Sequence, residues 1–419
     1  MIRLAPRALL AAALLLAAAG ALARDGIVID RSNGLPVANA TVLADDEVVH
    51  TDAAGRFSVR EGRRLRARAI GYRPHEPALS PGSPLRIELE PVRPKALYLS
   101  VYGIGDARLR DDALGLADRT EIDALVIDIK GDRGLVPHAS QAVAAAGLAP
   151  QTAITVADMP RLVRDLHARG LYLIARLVVF KDDPLARSNP QWAVRDAHGE
   201  VWRDRENLAW IDPFRRQAWE RTLALAEEAA RFGFDEVQFD YLRFPDATGL
   251  RFSEVDTQAS RVATVGAFLD AARARLAPHN VFISADIFGY VAWNTDDTRI
   301  GQHLESLIDK VDYLSPMLYP SGFTFGIPGH RDPVAAPFEI VEKTLRSALQ
   351  RTTQSGLRFR PWLQAFADYA FDRRAFGARE IRAQIEAAER LGTDGWMLWN
   401  PHNRYSDAGL EPASKPGTR

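Results

Sequence analysis

Eight short apolar runs, rich in branched and aromatic residues, recur between residues 96 and 400. Their repetition constrains the fold more than any single motif. They occupy residues 96–102, 124–130, 171–178, the stretch opening at Val237, and then 281–287, 311–317, 359–364 and 395–400. Near-continuous apolar character is what a parallel strand covered on both faces requires. Helical patterns lie between the runs. The clearest is predicted over 213–232, with Asp212 as N-cap, Pro213 at the first helical position and Gly233 as the stop. Trp219, Leu223, Ala226 and Ala230 form its apolar stripe. Eight strand–helix repeats predict an α/β chain closed into a (β/α)8 TIM barrel. An open doubly wound sheet is the alternative. No Gly-x-Gly-x-x-Gly or Walker loop follows any run, so a nucleotide-binding version of that sheet has no support.

The stretch Val237-Gln238-Phe239-Asp240-Tyr241-Leu242-Arg243-Phe244-Pro245 reads as a buried strand ending in polar groups. Gln238 and Asp240 are two apart and share one face, with Val237, Phe239 and Tyr241 on the other. In a (β/α)8 barrel the C-terminal strand ends carry the chemistry. The competing reading is a structural Asp240 bonded to backbone or to Arg243.

The chain resembles a bacterial family of glycoside hydrolase-like barrels, formerly a domain of unknown function. The resemblance covers about residues 95 to 406. It rests on seven ordered pieces. These are Val126-Ile127-Asp128-Ile129-Lys130, Trp210-Ile211-Asp212-Pro213, Gln238 to Pro245, Ser284-Ala285-Asp286-Ile287-Phe288-Gly289, Ser315 to Ser321, Arg360-Pro361-Trp362-Leu363-Gln364 and Gly395 to Asn400. Two departures stand out. Ala365 occupies a position where the family pattern implies an acid, and Gly322-Phe323 stands where it implies His-Tyr. The resemblance implies a barrel glycosidase without naming its sugar.

Glycosidic cleavage uses two carboxyl groups flanking one bond, one protonated and one ionised. Asp240 and Asp286 end neighbouring strands after apolar residues, so their tips are expected to be partly desolvated, which splits their pKa values. Asp240 is assigned as nucleophile or charge stabiliser, kept ionised by Arg243 or Arg176. Asp286 is assigned as general acid/base, the alternative being an acid bonded to the next loop. Asp128 is a third candidate, although Asp128 and Lys130 point the same way and could simply pair. Asp212 reads as a helix cap rather than a catalyst. Sugar sites combine aromatic plates with hydrogen-bonding groups. The expected substrate contacts are Asp128, Lys130, Arg176, Gln238, Arg243, Tyr102, Tyr319, Gln364, Trp399 and Asn400. Trp362 and Trp396 read as core packing.

No metal and no cofactor is expected. The nine histidines form no His-x-x-x-His or His-x-His pair, and zinc sites usually need such ligands. No Gly-x-Ser-x-Gly elbow supports a serine hydrolase. The formal net charge is -1 without a long basic run, which argues against nucleic acid as a partner. A polysaccharide or oligosaccharide is the expected partner. The alternative from another class is a catalytically silent polysaccharide-binding protein of the cell envelope.

Residues 1–23 read as a signal peptide. Arg3 and Arg7 precede an apolar core, and Ala21-Leu22-Ala23 fits cleavage before Arg24. The apolar run is short for a span, so a cleaved leader is expected over an uncleaved anchor. The expected address is periplasmic or secreted, with no stable membrane span after cleavage. The chain has no cysteine, which excludes disulfides and lipidation after the signal. Residues 24–92 read as a separate small all-β sandwich, with strands near 27–29, 40–43, 56–59 and 85–89. They resemble the carboxypeptidase regulatory-like domain through Gly34-Leu35-Pro36-Val37, Ala40-Thr41-Val42, Thr51-Asp52, Gly55-Arg56-Phe57 and Gly71-Tyr72. That resemblance implies an accessory module. Residues 91–94 form the expected linker, 95–406 the barrel and 407–419 a tail.

Overall fold

The computed structural model describes residues 23–60, 64–78, 85–145, 147 and 154–413. Apart from Ala23, the expected leader lies outside the described residues, as do residues 414–419 of the expected tail.

Six strands come first: β1 (Ala23–Asp30), β2 (Thr41–Ala44), β3 (Glu47–His50), β4 (Arg56–Arg60), β5 (Leu65–Arg68) and β6 (Leu85–Leu89). They form two three-stranded sheets, ordered β4-β1-β6 and β3-β2-β5, around a core that includes Val28, Val42, Phe57 and Ile87. The β1–β6 pair is parallel. Strands β3 and β5 were not legible as apolar runs because each is four residues long and half polar.

The remaining eight strands close into a parallel barrel. They are β7 (Lys95–Leu99), β8 (Ala124–Lys130), β9 (Tyr172–Val178), β10 (Glu236–Asp240), β11 (Phe282–Phe288), β12 (Tyr313–Met317), β13 (Trp362–Gln364) and β14 (Trp396–Trp399). The surrounding helices are α1 (Val101–Gly105), α2 (Ala107–Arg119), α3 (Gln141–Ala145), α4 (Met159–Ala168), α5 (Asp183–Ser188), α6 (Trp219–Phe232), α7 (Gln258–Leu276), α8 (Leu304–Ile308), α9 (Pro337–Thr352) and α10 (Ala378–Arg390). The large core lies between strands and helices, and a second cluster fills the barrel interior.

Two local expectations need correction. The helix predicted from Pro213 begins at Trp219, behind a 3-10 turn over residues 216–218. Asp212 caps no helix. It accepts from the Phe214 amide at 3.0 Å and the Ser253 amide at 2.7 Å, tying two loops together. The stripe Trp219, Leu223, Ala226 and Ala230 is buried, and Gly233 ends the helix at φ 103°. The second correction concerns Lys130. A bulge at Ile129 pairs Asp128 with Arg176 but Lys130 with Leu177. The extra residue turns Lys130 out of the barrel. Its ammonium reaches Asp182 at 2.6 Å and Thr222 of α6 at 3.1 Å, and it does not pair with Asp128.

The small sheets pack on the N-terminal end of the barrel. Arg68 meets Asp312 at 2.9 Å and Asn280 at 3.0 Å, and the Gly71 amide donates to the Tyr313 hydroxyl at 3.3 Å. Ile70 and Val92 pack against the interior cluster containing Tyr172, Phe282 and Tyr313. A cavity of about 880 Å³ lies beside this seam, lined in part by Arg66, Arg73, His167 and His279. The described part of the expected tail also docks here, through the Glu121 amide to the Glu411 carbonyl at 2.8 Å.

Candidate active site

Strand register sets the site. Gln238 is in register with Arg176 on one side and Ser284 on the other. Side chains in register on parallel strands share a face, so all three enter the barrel. Asp240 and Asp286 stand two residues beyond Gln238 and Ser284. They therefore leave adjacent strands side by side at the C-terminal rim, on backbones about 4.8 Å apart.

Arg176 joins the carboxyl groups. Its guanidinium donates to Asp240 Oδ2 through Nε at 3.0 Å and through Nη2, to Asp128 Oδ1 at 2.6 Å, and to Asp132 Oδ1 at 3.2 Å. The same Nε lies 3.9 Å from Asp286 Oδ2. Two oxygens at those distances from one atom are at most about 7 Å apart, no farther than glycosidase carboxyl pairs reach. One guanidinium thus serves several carboxyl groups, and the cluster keeps a negative excess. Asp240 Oδ1 accepts from the Tyr241 amide at 2.6 Å, where Tyr241 turns the chain at φ 48°.

The two aspartates differ in surroundings. Asp286 is buried, with Oδ1 accepting from the Trp362 indole at 2.8 Å and Oδ2 without a hydrogen-bond partner. Burial pushes its carboxyl well above the usual range, the Asp240 charge pushes it further, and Arg176 and Trp362 oppose. Asp286 therefore holds a proton where an ordinary carboxyl has lost it. Burial also raises Asp128 to about 6, against the pull of Arg176. The Tyr98 hydroxyl donates to Asp128 at 2.7 Å. Its ring stacks on Trp399 at 4.0 Å and 17°, and Arg176 lies 5.0 Å from the Trp399 ring centre. Tyr319 packs against the interior cluster that holds Tyr98 and Trp362, and burial, then the charges of Asp286 and Asp240, raise its phenol.

The structure therefore gathers Asp128, Arg176, Asp240, Asp286, Tyr319 and Trp399. Gln238 sits beneath them, donating to Ser315 Oγ at 3.2 Å. The other expected contacts go elsewhere. Arg243 makes no ion pair with Asp240. It lies against Trp210, Tyr241 and Phe288, 4.7 to 5.1 Å from their ring centres. Gln364 is consumed by loop bracing, accepting from the Ser321 amide at 3.0 Å and donating to Ser321 Oγ at 2.8 Å. Asn400 donates to the Ala365 carbonyl at 2.7 Å and joins two strand ends. Tyr102 is exposed on α1. Lys130 lies outside the wall, as described above.

Three groups escaped sequence reasoning. Asp132 follows β8 in a loop and carries no strand signal. Tyr98 is hidden within an apolar run, although its alternation with Leu97 and Leu99 could have marked it as inward. Trp362 read as core, yet its indole N–H is the hydrogen-bond donor to Asp286. Near the position where the family implies an acid, Asp368 accepts four backbone amides, from Ala370, Phe371, Asp372 and Arg373. Hydrogen bonds, including one from Ser321, outweigh its burial and hold its carboxyl well below the usual range, as a loop anchor. Among the described residues no group of three or more histidines and carboxylates is arranged to hold a metal.

A family described as "Putative glycosyl hydrolase domain" matches residues 96–405. No curated protein matches the chain. Among solved structures, a hypothetical protein from Ruminiclostridium thermocellum is 36% identical over 45% of this chain and 96% of its own, with a TM-score of 0.39. The PgaB (BpsB) glycoside hydrolase domain from Bordetella bronchiseptica is 14% identical over 76% of this chain and 97% of its own, with a TM-score of 0.55. A class V chitinase from Pseudomonas fluorescens is 13% identical over 75% and 96%, with a TM-score of 0.46.

Proposed function

The chain belongs to this glycosyl hydrolase family; we propose that it is a glycosidase that cleaves a bacterial envelope or extracellular polysaccharide through Asp240 and Asp286. The observation that carries the reading is that both carboxyl groups lie within 4.0 Å of Arg176, one ion-paired and one raised in pKa by burial. That is the division of labour a carboxyl pair needs.

In this reading Asp286 gives its proton to the glycosidic oxygen as the bond to the leaving sugar breaks. Asp240 faces the developing oxocarbenium charge, as nucleophile or as electrostatic stabiliser, and water completes the hydrolysis. Arg176 orients Asp240 without neutralising the cluster, because Asp128 and Asp132 share its charge. Trp399, stacked on Tyr98, offers an aromatic plate to a sugar ring. The leader read over residues 1–23 supports an address in the periplasm or outside the cell. No helix among the described residues is long and apolar enough to cross a membrane. Residues 24–92 serve as an accessory module at the barrel base.

One observation favours the second reading, a silent glycan-binding protein: the Asp286 side chain has no exposed surface and that of Asp240 only 6%. Product analysis separates the two. The mature protein is incubated with a panel of envelope and exopolysaccharides, with and without chelator. New reducing ends in both conditions support hydrolysis by this carboxyl pair. Binding without products on every glycan supports the silent reading.

A further inference from the structure

The aromatic groups beside the acids continue outward along one side of the rim. Tyr319, in the loop after β12, packs against the interior cluster that contains Tyr98 and Trp362, and Trp362 is the donor to Asp286. Its ring contacts Phe366, in the loop after β13, at 5.6 Å in an edge arrangement. Phe366 in turn lies nearly parallel to Tyr369, at 6.1 Å and 12°. Exposure grows outward: Tyr319 and Phe366 are half-buried and Tyr369 is 53% exposed. Gly322 lies between Tyr319 and Tyr369: a Cβ there would touch the Tyr369 hydroxyl at 3.9 Å and the Tyr319 Cβ at 4.0 Å, in ordinary contact.

Packing does not account for Tyr369. A ring that large and that exposed buries little apolar area, yet the loop carrying it is firmly held. Asp368, the preceding residue, is buried and ties the loop to Ser321 at 2.7 Å as well as to four amides. Strand β9 lies four strands from β13 in the closed order, so its loops occupy the opposite side of the mouth. Burial raises the Tyr369 phenol, and the charge of Arg205, in a loop on that side, opposes it. The line of rings runs from the interior cluster at Tyr319 to the exposed Tyr369. Sugar rings lay their apolar C–H faces on aromatic plates, and the exposed faces and edges of these rings offer such contacts.

We infer that Tyr319, Phe366 and Tyr369 form a row of sugar subsites that holds an extended glycan chain running outward from the carboxyl pair across the loops after β12 and β13. The inference rests on the glycosidase reading of that pair. It makes the substrate a chain several sugars long, and the enzyme one whose efficiency depends on chain length.

The test uses the full chain with β-linked oligosaccharides of two to eight sugars, in separate glucose, xylose and N-acetylglucosamine series. For a series that is turned over, kcat/KM rises with length in the unaltered protein. Tyr369→Ala and Phe366→Ala each remove about tenfold of that rise, chiefly through KM. An unchanged dependence on length in both variants overturns the inference. If no series is turned over, binding decides. Asp240→Asn protein is run in native gels containing hydroxyethyl cellulose, xylan or glycol chitin. Retardation that disappears on adding Tyr369→Ala supports the row and counts only against hydrolysis of these glycans. Equal mobility with and without Tyr369 in every gel overturns the row.

Discussion

The Trp362 indole N–H donates to Asp286 Oδ1 at 2.8 Å, while Oδ2 of the same carboxyl has no hydrogen-bond partner. Asp240, on the adjacent strand, has both oxygens engaged, by Arg176 and by the Tyr241 amide. That contrast assigns opposite roles to two residues of one type.

The Trp362–Asp286 bond gives a prediction about pH. The indole favours the ionised carboxyl, so removing its N–H raises the Asp286 pKa further. In Trp362→Phe the alkaline limb of kcat/KM moves to higher pH. A limb that stays in place would show that another group sets it. The limb is read from a pH–rate profile on any glycan the protein hydrolyses.

Asp286 also predicts a pH-dependent stability. Its folded pKa lies above its unfolded value. Above pH 4 the unfolded chain releases this proton while the folded one retains it, so the cost to folding grows with pH. Asp286→Asn removes that cost. The variant is expected to be inactive but more stable, with a gain in Tm of about 2 °C at pH 8 that shrinks toward pH 4. Thermal melts across that range check it. A loss of stability that deepens with pH would contradict the protonated assignment.

At the other end of the barrel, Arg68 and Asp312 form a pair with side chains only 11% and 13% exposed. Arg68→Ala leaves a buried carboxylate with Arg273 at 3.7 Å as its remaining cation. A loss of about 3 kcal/mol follows at neutral pH. Asp312 is held below the usual carboxylate range, where Arg68 and Arg273 outweigh its burial. The pair's contribution is thus present above pH 4 and fades as pH falls through the lowered value. Denaturant melts of Arg68→Ala at pH 7 and pH 3 test this. An equal loss at both would assign the effect to packing alone. The same contacts predict that removing residues 24–92 lowers the melting temperature of the barrel.

The barrel was legible because all eight strands are covered on both faces and so spell long apolar runs. Ala124–Lys130 matches its run end to end. Other ends shifted for local reasons. Strand β7 stops at Leu99 because Ser100 caps α1, its hydroxyl accepting from the Gly103 amide at 3.1 Å. Strand β13 starts only at Trp362, after Pro361, which has no amide to donate. The adjacency of Asp240 and Asp286 followed from strand order alone. The outward turn of Lys130 did not, because a bulge at Ile129 leaves no mark in composition. Nor did the choice of Arg176 over Arg243 as partner of Asp240. That choice depends on register between β9 and β10, whereas Arg243 lies past the turn at Tyr241 and stacks among aromatic rings.

The most direct test is Asp240→Asn, with turnover and melting temperature measured on the same preparation. Asparagine keeps an oxygen to accept from Arg176, and Asp128 and Asp132 still balance the guanidinium, so the fold should survive with a fall of a few degrees at most. Turnover should drop about 1000-fold or more, because the oxocarbenium-like transition state loses its facing charge. A variant that retains turnover within about tenfold, yet loses about 3 to 5 kcal/mol of stability as a buried pair would, would make Asp240 a structural residue and contradict the catalytic pair.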